Sequence, residues 1–270
     1  MKRVGLLTLA LLASSLIAHV LPVSGAARSS FVTVQNHRFY LDDKPYYYIG
    51  TNYWYGSLLG LEKDSKKGVA RLRQELDFLR ANGVTNLRLM AGAEGSGMIN
   101  GVIRVGPPLQ PRQGEFNENI LDGLDLVLSE MSKRKMNAIV FLSNNWEWSG
   151  GFQQYLIWNG LVPDALATRK LTWDEQRDIV SMFYSCVPCK ESYNRQVNLI
   201  LGRTNKYSHK KYTEDPAIMA WELANEPRPM RPAAANAYKG WIGDVAAMIK
   251  AKDKNHLVTI GHEGQMAPKT

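Results

Sequence analysis

The chain has 270 residues, of which 45% are hydrophobic and 21% are charged, and its formal net charge is +8. These proportions are typical of a soluble globular protein, and the length is enough for one domain with a sizeable core. The basic residues are scattered and do not alternate with aromatic residues along a stripe, so the charge indicates a solvated surface and excludes a nucleic-acid groove.

The start of the chain has the organisation of a secretory signal peptide. A basic start, Lys2 and Arg3, precedes an apolar core that is too short to cross a bilayer, and small residues at 24–26 provide a cleavage site. We expect residues 1–26 to be removed. The remaining domain, 27–270, is then secreted or periplasmic and has no membrane partner.

After this segment the sequence predicts a hairpin and then alternating strands and helices. The hairpin covers 31–45, where two short apolar runs flank a polar turn. A capping box at 172–175 opens one helix. Apolar runs and helical periodicity predict strands at 46–51, 84–90, 137–143, 217–223 and 256–260, and helices at 66–82, 117–135, 191–203 and 233–251.

This order of elements predicts an α/β fold with a parallel sheet. The long loops (91–115, 144–172 and 224–232) all follow strands, whereas the loops after helices, such as 82–83, are short. That asymmetry favours a (β/α)8 TIM barrel over a doubly wound sheet, because barrel enzymes build their active sites from the loops after the strands.

The strand count is lower than a closed barrel requires. A barrel of this type has eight strands, and the sequence provides five. An open half-barrel would expose apolar sheet edges. We therefore expect a barrel that is truncated after its fifth strand and forms the N-terminal part of a longer protein.

The two cysteines, Cys186 and Cys189, lie close together in the sequence. In an oxidising compartment this spacing predicts a local disulfide. One such pair provides too few ligands for a zinc site, and the histidines show no metal-ligand spacing. We expect neither a metal nor a cofactor.

Glu226 is the main candidate for a catalytic residue. It follows an apolar strand and precedes Pro227, so it lies at a strand end, where barrel enzymes place catalytic groups. A general acid must lie near the scissile oxygen and hold a proton, which a partly desolvated carboxyl can do. The neighbouring Asn225 can donate to a substrate hydroxyl. The structural alternatives are a carboxylate that binds backbone amides and a turn residue before proline.

Arg88 interrupts the apolar strand at 84–90. A buried guanidinium needs a carboxylate partner, so we expect Arg88 to orient a catalytic carboxylate and hold it ionised. The alternative is a structural ion pair below the mouth of the barrel.

Aromatic residues crowd the predicted strand ends. Sugar rings present flat C–H faces that pack on aromatic rings, while Asn, Glu and Arg bind hydroxyls, so the set predicts a carbohydrate cleft. Core packing is the alternative for each of them. They are Tyr53, Trp54, Tyr55, Trp146, Trp148, Tyr155 and Trp158.

Glu263 follows the fifth strand and is a candidate for the second catalytic carboxylate, because strands four and five are neighbours. A contact with the substrate is the favoured role for Glu263 and for two weaker candidates, Glu94 and Glu147.

Six motifs occur in a specific order along the chain: GTNYW at 50–54, NLR at 86–88, PPLQP at 107–111, NNW at 144–146, WELANEPR at 221–228 and TIGHEG at 259–264. Together they resemble glycoside hydrolase family 5, and within it the endo-β-1,4-mannanases. The resemblance covers essentially everything after the signal segment.

The resemblance implies a (β/α)8 barrel and a retaining mechanism. Glu226 would be the acid/base, with Asn225 and Arg88 as supporting residues. In this family the nucleophilic glutamate follows the seventh strand, beyond the five strands predicted here. The residues expected to bind the substrate are Trp54, Asn145, Trp146, Trp158 and Glu263.

The predicted function is therefore hydrolysis of internal β-1,4-mannosidic bonds in mannans by a secreted, monomeric enzyme. Two alternatives stay open. One is a β-1,4-glucanase of the same family, and the other is an inactive carbohydrate-binding fragment that lacks the nucleophile.

Overall fold

The computed structural model describes residues 30–61, 65–163, 166 and 168–264. The predicted signal peptide at 1–26 lies outside these residues. The described residues form a small antiparallel sheet followed by a parallel five-stranded sheet with its helices.

The hairpin expected at 31–45 is a three-stranded antiparallel sheet in the order β1-β2-β3. Beside it, Val32 is 2% exposed and packs with Met219 and Ala220 near the start of a later strand. The small sheet is thereby anchored to the main one. Its strands are β1 (Thr33–Gln35), β2 (Arg38–Leu41) and β3 (Lys44–Pro45).

The main sheet contains the five predicted barrel strands, all parallel, in the order β10-β9-β8-β5-β4. All their carboxyl ends therefore meet at one edge. A small hairpin, β6 and β7, lies in the loop after β5. The remaining strands are β4 (Ile49–Asn52), β5 (Val84–Met90), β6 (Met98–Ile99), β7 (Val102–Ile103), β8 (Asn137–Phe141), β9 (Ile218–Glu222) and β10 (Leu257–Thr259).

Six α-helices longer than one turn accompany these strands in the described part of the chain: α1 (Ser65–Ala81), α2 (Glu118–Lys133), α3 (Gly151–Trp158), α4 (Trp173–Ser181), α5 (Val187–Leu201) and α6 (Ala235–Lys252). The predicted apolar faces are buried, because they cover the outer face of the sheet. The buried residues include Leu72, Leu76, Ile120, Leu124, Val127, Met131, Tyr193, Val197, Trp241 and Ile249.

Helix α3 lies inside the segment 144–172, which the sequence pattern predicted as a loop. Its N-terminus has no side-chain cap and begins at two glycines, so the usual start signals are absent. In contrast, α4 begins with the predicted capping box: Thr172 Oγ1 accepts from the Glu175 amide at 3.3 Å, and Glu175 Oε2 accepts from the Thr172 amide at 2.8 Å.

The long loops follow strands, as a barrel active site requires, with one exception at 202–217, which precedes β9. Cys186 and Cys189 form the predicted disulfide at the start of α5. No helix in the described ranges has the length and apolar character that a membrane span needs.

Candidate active site

Glu226 lies just beyond the carboxyl end of β9, and its backbone is fixed from both sides. The Asn225 amide donates to the Ser143 carbonyl at 2.8 Å, and the Glu226 amide donates to the Gly261 carbonyl at 3.0 Å. Glu226 itself has a left-handed φ of 53°. Such a conformation is costly for a residue with a Cβ and persists where the surroundings impose it, commonly at functional sites.

Gly261 makes this close packing of β9 and β10 feasible. Its φ is 88°, and a Cβ there would collide with the carbonyl of Ala224 and the carboxylate of Glu222. Any residue larger than glycine would therefore push the end of β10 away from the backbone that carries Glu226.

The carboxylate of Glu226 is held by Trp146, whose indole Nε1 donates to Glu226 Oε2 at 2.5 Å. The backbone of Trp146 is fixed in turn, since its amide donates to Asn144 Oδ1 at 3.0 Å. Among the described residues, no side chain donates to the other carboxylate oxygen of Glu226.

Arg88 joins three side chains at the end of the sheet. Its Nε donates to Glu222 Oε2 at 3.0 Å, and one terminal nitrogen bonds both the second Glu222 oxygen and Asn225 Oδ1, the latter at 2.8 Å. The other terminal nitrogen lies 3.3 Å from Asn52 Oδ1. The guanidinium also lies 4.6 Å from the centroid of the Phe141 ring.

The prediction for Arg88 needs a correction. A carboxylate partner is present, as burial requires, but it is Glu222 and not Glu226. Within the described residues no hydrogen bond joins Arg88 to Glu226. Arg88 therefore reaches the candidate acid only through Asn225, its neighbour in sequence.

Asn225 is 7% exposed and is bound on both sides of its amide. Its Oδ1 accepts from Arg88, and its Nδ2 donates to Asn144 Oδ1 at 2.9 Å. An amide nitrogen has two hydrogens, and the bond to Asn144 uses one of them.

The side chain of Asn145, which was expected to bind the substrate, is buried. It is 1% exposed, with Nδ2 3.6 Å from the sulfur of Met230 and Oδ1 3.4 Å from the amide nitrogen of Arg228. A side chain buried in this way braces the loop after β9. The substrate-binding role predicted for Asn145 is not supported by this position.

The predicted aromatic cluster divides into core residues and rim residues. Tyr53 and Tyr155 are buried at 2% and 0% exposure. Trp158 packs edge-on against Tyr155 with ring centroids 5.6 Å apart and lies, partly buried, at the edge of the core. Trp54 is 36% exposed and pairs with Trp148 at 5.6 Å, so this pair stays at the rim.

Glu263 forms an ion pair with Arg228, and both side chains are 39% exposed. The pair lines a surface cavity of about 1070 Å³ beside the loop after β9. Glu263 is therefore placed where a substrate could contact it. Glu147, by contrast, accepts from Gln176 Nε2 at 2.5 Å and links the segment after β8 to α4.

Glu94 is fully buried and cannot contact a substrate, contrary to the expectation. Its carboxylate accepts from Ser143 Oγ at 2.8 Å, Gln196 Nε2 at 2.9 Å, the Gly151 amide at 3.0 Å and the Tyr155 hydroxyl at 3.2 Å. Burial raises the pKa of Glu94 to about 7, and these four donors oppose that rise.

The sequence did not identify three residues that contact the site residues: Glu222, Asn144 and Trp173. Glu222 had a readable signal, because a second charge inside an apolar strand is a natural partner for Arg88. Asn144 had none beyond its position in the loop after β8, and Trp173 had none beyond its place in the capping box at 172–175. The described residues contain no group of three or more histidine, cysteine, aspartate or glutamate side chains that could hold a metal ion.

Comparison with known proteins gives a consistent result. The family described as GH family 5 beta-mannosidase-like matches residues 29–269. Mannan endo-1,4-beta-mannosidase 1 of Oryza sativa subsp. japonica is 33% identical over 234 residues, which are 87% of this chain and 49% of the rice protein. The chain thus spans about half the length of the curated relatives it matches.

Solved structures agree. A glycoside hydrolase family 5 mannosidase from Rhizomucor miehei matches with a TM-score of 0.77 at 31% identity, over 88% of this chain and 57% of that chain. The endo-1,4-beta-D-mannanase of Thermotoga petrophila RKU-1 matches with a TM-score of 0.63 at 26% identity, over 82% and 57%. The five parallel strands are thus part of a (β/α)8 barrel, and the chain belongs to glycoside hydrolase family 5, among its beta-mannosidase-like members.

Proposed function

We propose that the protein hydrolyses internal β-1,4-mannosidic bonds of mannan-type polysaccharides, with Glu226 as the proton donor. The observation that carries this proposal is the position of the Glu226 carboxylate. It extends from the end of the fourth barrel strand, is held by Trp146, and stands next to an asparagine that Arg88 orients.

The proposed reaction follows the two-step retaining route. Glu226 protonates the leaving oxygen while a second carboxylate attacks the anomeric carbon. In retaining enzymes the two carboxyl groups lie about 5–5.5 Å apart. Glu226 then removes a proton from the water that releases the sugar. We propose that the second carboxylate belongs to a barrel strand beyond β10, and that the free amide hydrogen of Asn225 binds a hydroxyl of the reacting sugar.

The choice of mannan rests on the relatives. The rice and Thermotoga petrophila proteins are named as mannanases, and a Rhizomucor miehei mannosidase variant was solved with mannosyl-fructose. The polar groups at the end of β9 fit a hydroxyl-rich ligand but do not by themselves distinguish mannose from glucose.

Substrate choice is tested on the full-length protein with linear β-1,4-mannan beside β-1,4-glucan of similar length. The proposal predicts new reducing ends and an early fall in viscosity with mannan, since internal cleavage shortens chains quickly, and little release from the glucan. Equal or faster cleavage of the glucan, or no cleavage of mannan, would contradict it.

We also propose that the protein is exported. The disulfide between Cys186 and Cys189 supports this, because such bonds persist in oxidising compartments. Thiol alkylation of the protein from its natural source should label neither cysteine before reduction and both after it. Labelling without reduction would contradict export.

A further inference from the structure

Three tyrosine hydroxyls donate to backbone carbonyls on either side of Glu226. One carbonyl belongs to the residue three positions before the candidate acid, and the other two belong to the two residues that follow it. The bonds are Tyr193 to Leu223 at 2.7 Å, Tyr238 to Pro227 at 3.1 Å and Tyr184 to Arg228 at 2.7 Å. We call the side chains of Tyr184, Tyr193 and Tyr238 the tyrosine cradle.

The three tyrosines come from different elements and share one packing partner. Tyr184 lies in the helical turn Met182–Ser185, Tyr193 on α5 and Tyr238 on α6. Each ring packs against Trp241, which is 1% exposed, with centroids 5.5, 5.8 and 6.3 Å away in that order. The rings are thereby fixed against the core, so their hydroxyls hold fixed positions at the end of the sheet.

The segment that carries Glu226 depends on partners outside it for its conformation. The left-handed φ of 53° at Glu226 persists only where the surroundings impose it. Pro227 and Pro229 have no N–H, so the loop lacks two of the donors that could close a turn of its own. Burial raises the pKa of Tyr184 and Tyr193 well above the ordinary value, so both hydroxyls keep the proton that they donate.

We propose that Tyr184, Tyr193 and Tyr238 are positioning residues, which hold the backbone around Glu226 so that its carboxylate meets the leaving oxygen of the substrate. The inference rests on the proposed function, which supplies the reaction in which that carboxylate acts. The tyrosine cradle acts through the backbone alone. Proton transfer needs a donor within hydrogen-bond reach of the oxygen, so a displaced backbone slows it.

The test uses Tyr184→Phe/Tyr193→Phe in the full-length protein, because phenylalanine removes each hydroxyl and keeps the ring. We expect kcat on mannan to fall about tenfold, less than the loss of about 10²-fold that a 1 Å misplacement can cause. KM should stay near wild type. The first release of an acidic phenol from an aryl β-mannoside needs no proton from Glu226, so its rate constant should also stay near wild type.

A second variant and a control accompany this test. Tyr238→Phe changes a side chain that is only partly buried, and it should show the same pattern with a smaller fall in kcat. The matched control is Tyr212→Phe, whose buried hydroxyl donates to Asp125 Oδ1 at 2.6 Å in the loop before β9. It should leave kcat, KM and phenol release unchanged. Equal losses on mannan and on the aryl mannoside, or no loss in either cradle variant, would overturn the inference.

Hydrogen exchange separates this inference from the proposed function. In Tyr184→Phe/Tyr193→Phe the amides of residues 223–231 should exchange faster than in wild type, while those of α2 keep their rate, because only the first segment has lost its support. If the wild-type protein does not cleave mannan, the proposed function fails, while this exchange pattern still supports the tyrosine cradle. If exchange at 223–231 is unchanged, the cradle is overturned whatever the activity.

Discussion

Arg88 shows how one charged residue organises the end of the sheet. It extends from β5 across the intervening β8, passing over the Phe141 ring, to reach Glu222 on β9. The ion pair satisfies two charges that would be costly to bury separately. The same guanidinium also binds Asn225. The ion pair between Arg88 and Glu222 therefore stabilises the end of the sheet, and this also positions Asn225 in the site.

Replacing Arg88 by lysine should reduce catalysis more than stability. Lysine keeps the positive charge for Glu222, but a single ammonium group cannot reproduce the planar fork that also binds Asn225. We expect kcat on mannan to fall about 10²-fold, the usual effect of a misplaced active-site group. Arg112→Lys, at a side chain that is 80% exposed, is the matched control. Wild-type kcat in Arg88→Lys would contradict this account.

At the scale of elements, Glu94 connects the parts that hold Trp146 in place. It is on the loop after β5 and binds the end of β8 through Ser143, the start of α3 through Gly151, and α5 through Gln196. Ser143 in turn accepts from the Asn225 amide at 2.8 Å. The titratable groups that interact with Glu94 across this junction are the charged Arg104 and the neutral Tyr155 and Tyr193.

The pKa of Glu94 predicts how stability depends on pH. Burial raises the pKa from 4.5 to about 7 in the folded protein, so between these values the folded state binds more protons than the unfolded state. The contribution of Glu94 to stability is then fully present below pH 4.5 and is lost as pH rises through 7. A shift of this size corresponds to about 3 kcal/mol.

Glu94→Gln removes this titration. The free energy of unfolding of wild type minus that of Glu94→Gln, from urea denaturation, should therefore fall as pH rises through this window. The same difference for Glu115→Gln, at a side chain that is 56% exposed, should stay flat. If the difference for Glu94→Gln is also independent of pH, the Glu94 carboxyl has the same pKa in the folded and unfolded states, and the prediction is contradicted.

The sequence predicted the five strands of the main sheet and the strand end that carries Glu226, because both depend on local patterns, but it did not predict α3. It offered Glu222 as a second charge inside an apolar strand, but it could not decide whether Glu222 or Glu226 is the partner of Arg88. That choice depends on which residues of β8 and β9 lie opposite each other, and their register shifts between Ala138 and Ile139. A shift of one residue moves a side chain to the other face. The position of Trp173 beside Trp146 likewise depends on loop packing.

For the molecule as a whole, the described residues form one continuous wall of a barrel. The core lies between the sheet and its helices, and every candidate site residue that keeps some exposure lies at the carboxyl edge of the strands or in the loops that follow them. This arrangement lets one rigid sheet position Glu226, Asn225 and Arg88 together. The loops around that edge then determine which polymer reaches them.

The measurement that tests the central claim most directly compares Glu226→Ala with wild type, in the full-length protein, on mannan and on an aryl β-mannoside with an acidic phenol. Mannan needs its leaving oxygen protonated, so its hydrolysis should fall about 10²–10⁴-fold. The phenol leaves without that proton, so Glu226→Ala should release it in a rapid first turnover and then stall. Added azide should restore its turnover. An equal loss on both substrates, or full activity on mannan, would contradict the role of Glu226 as the proton donor.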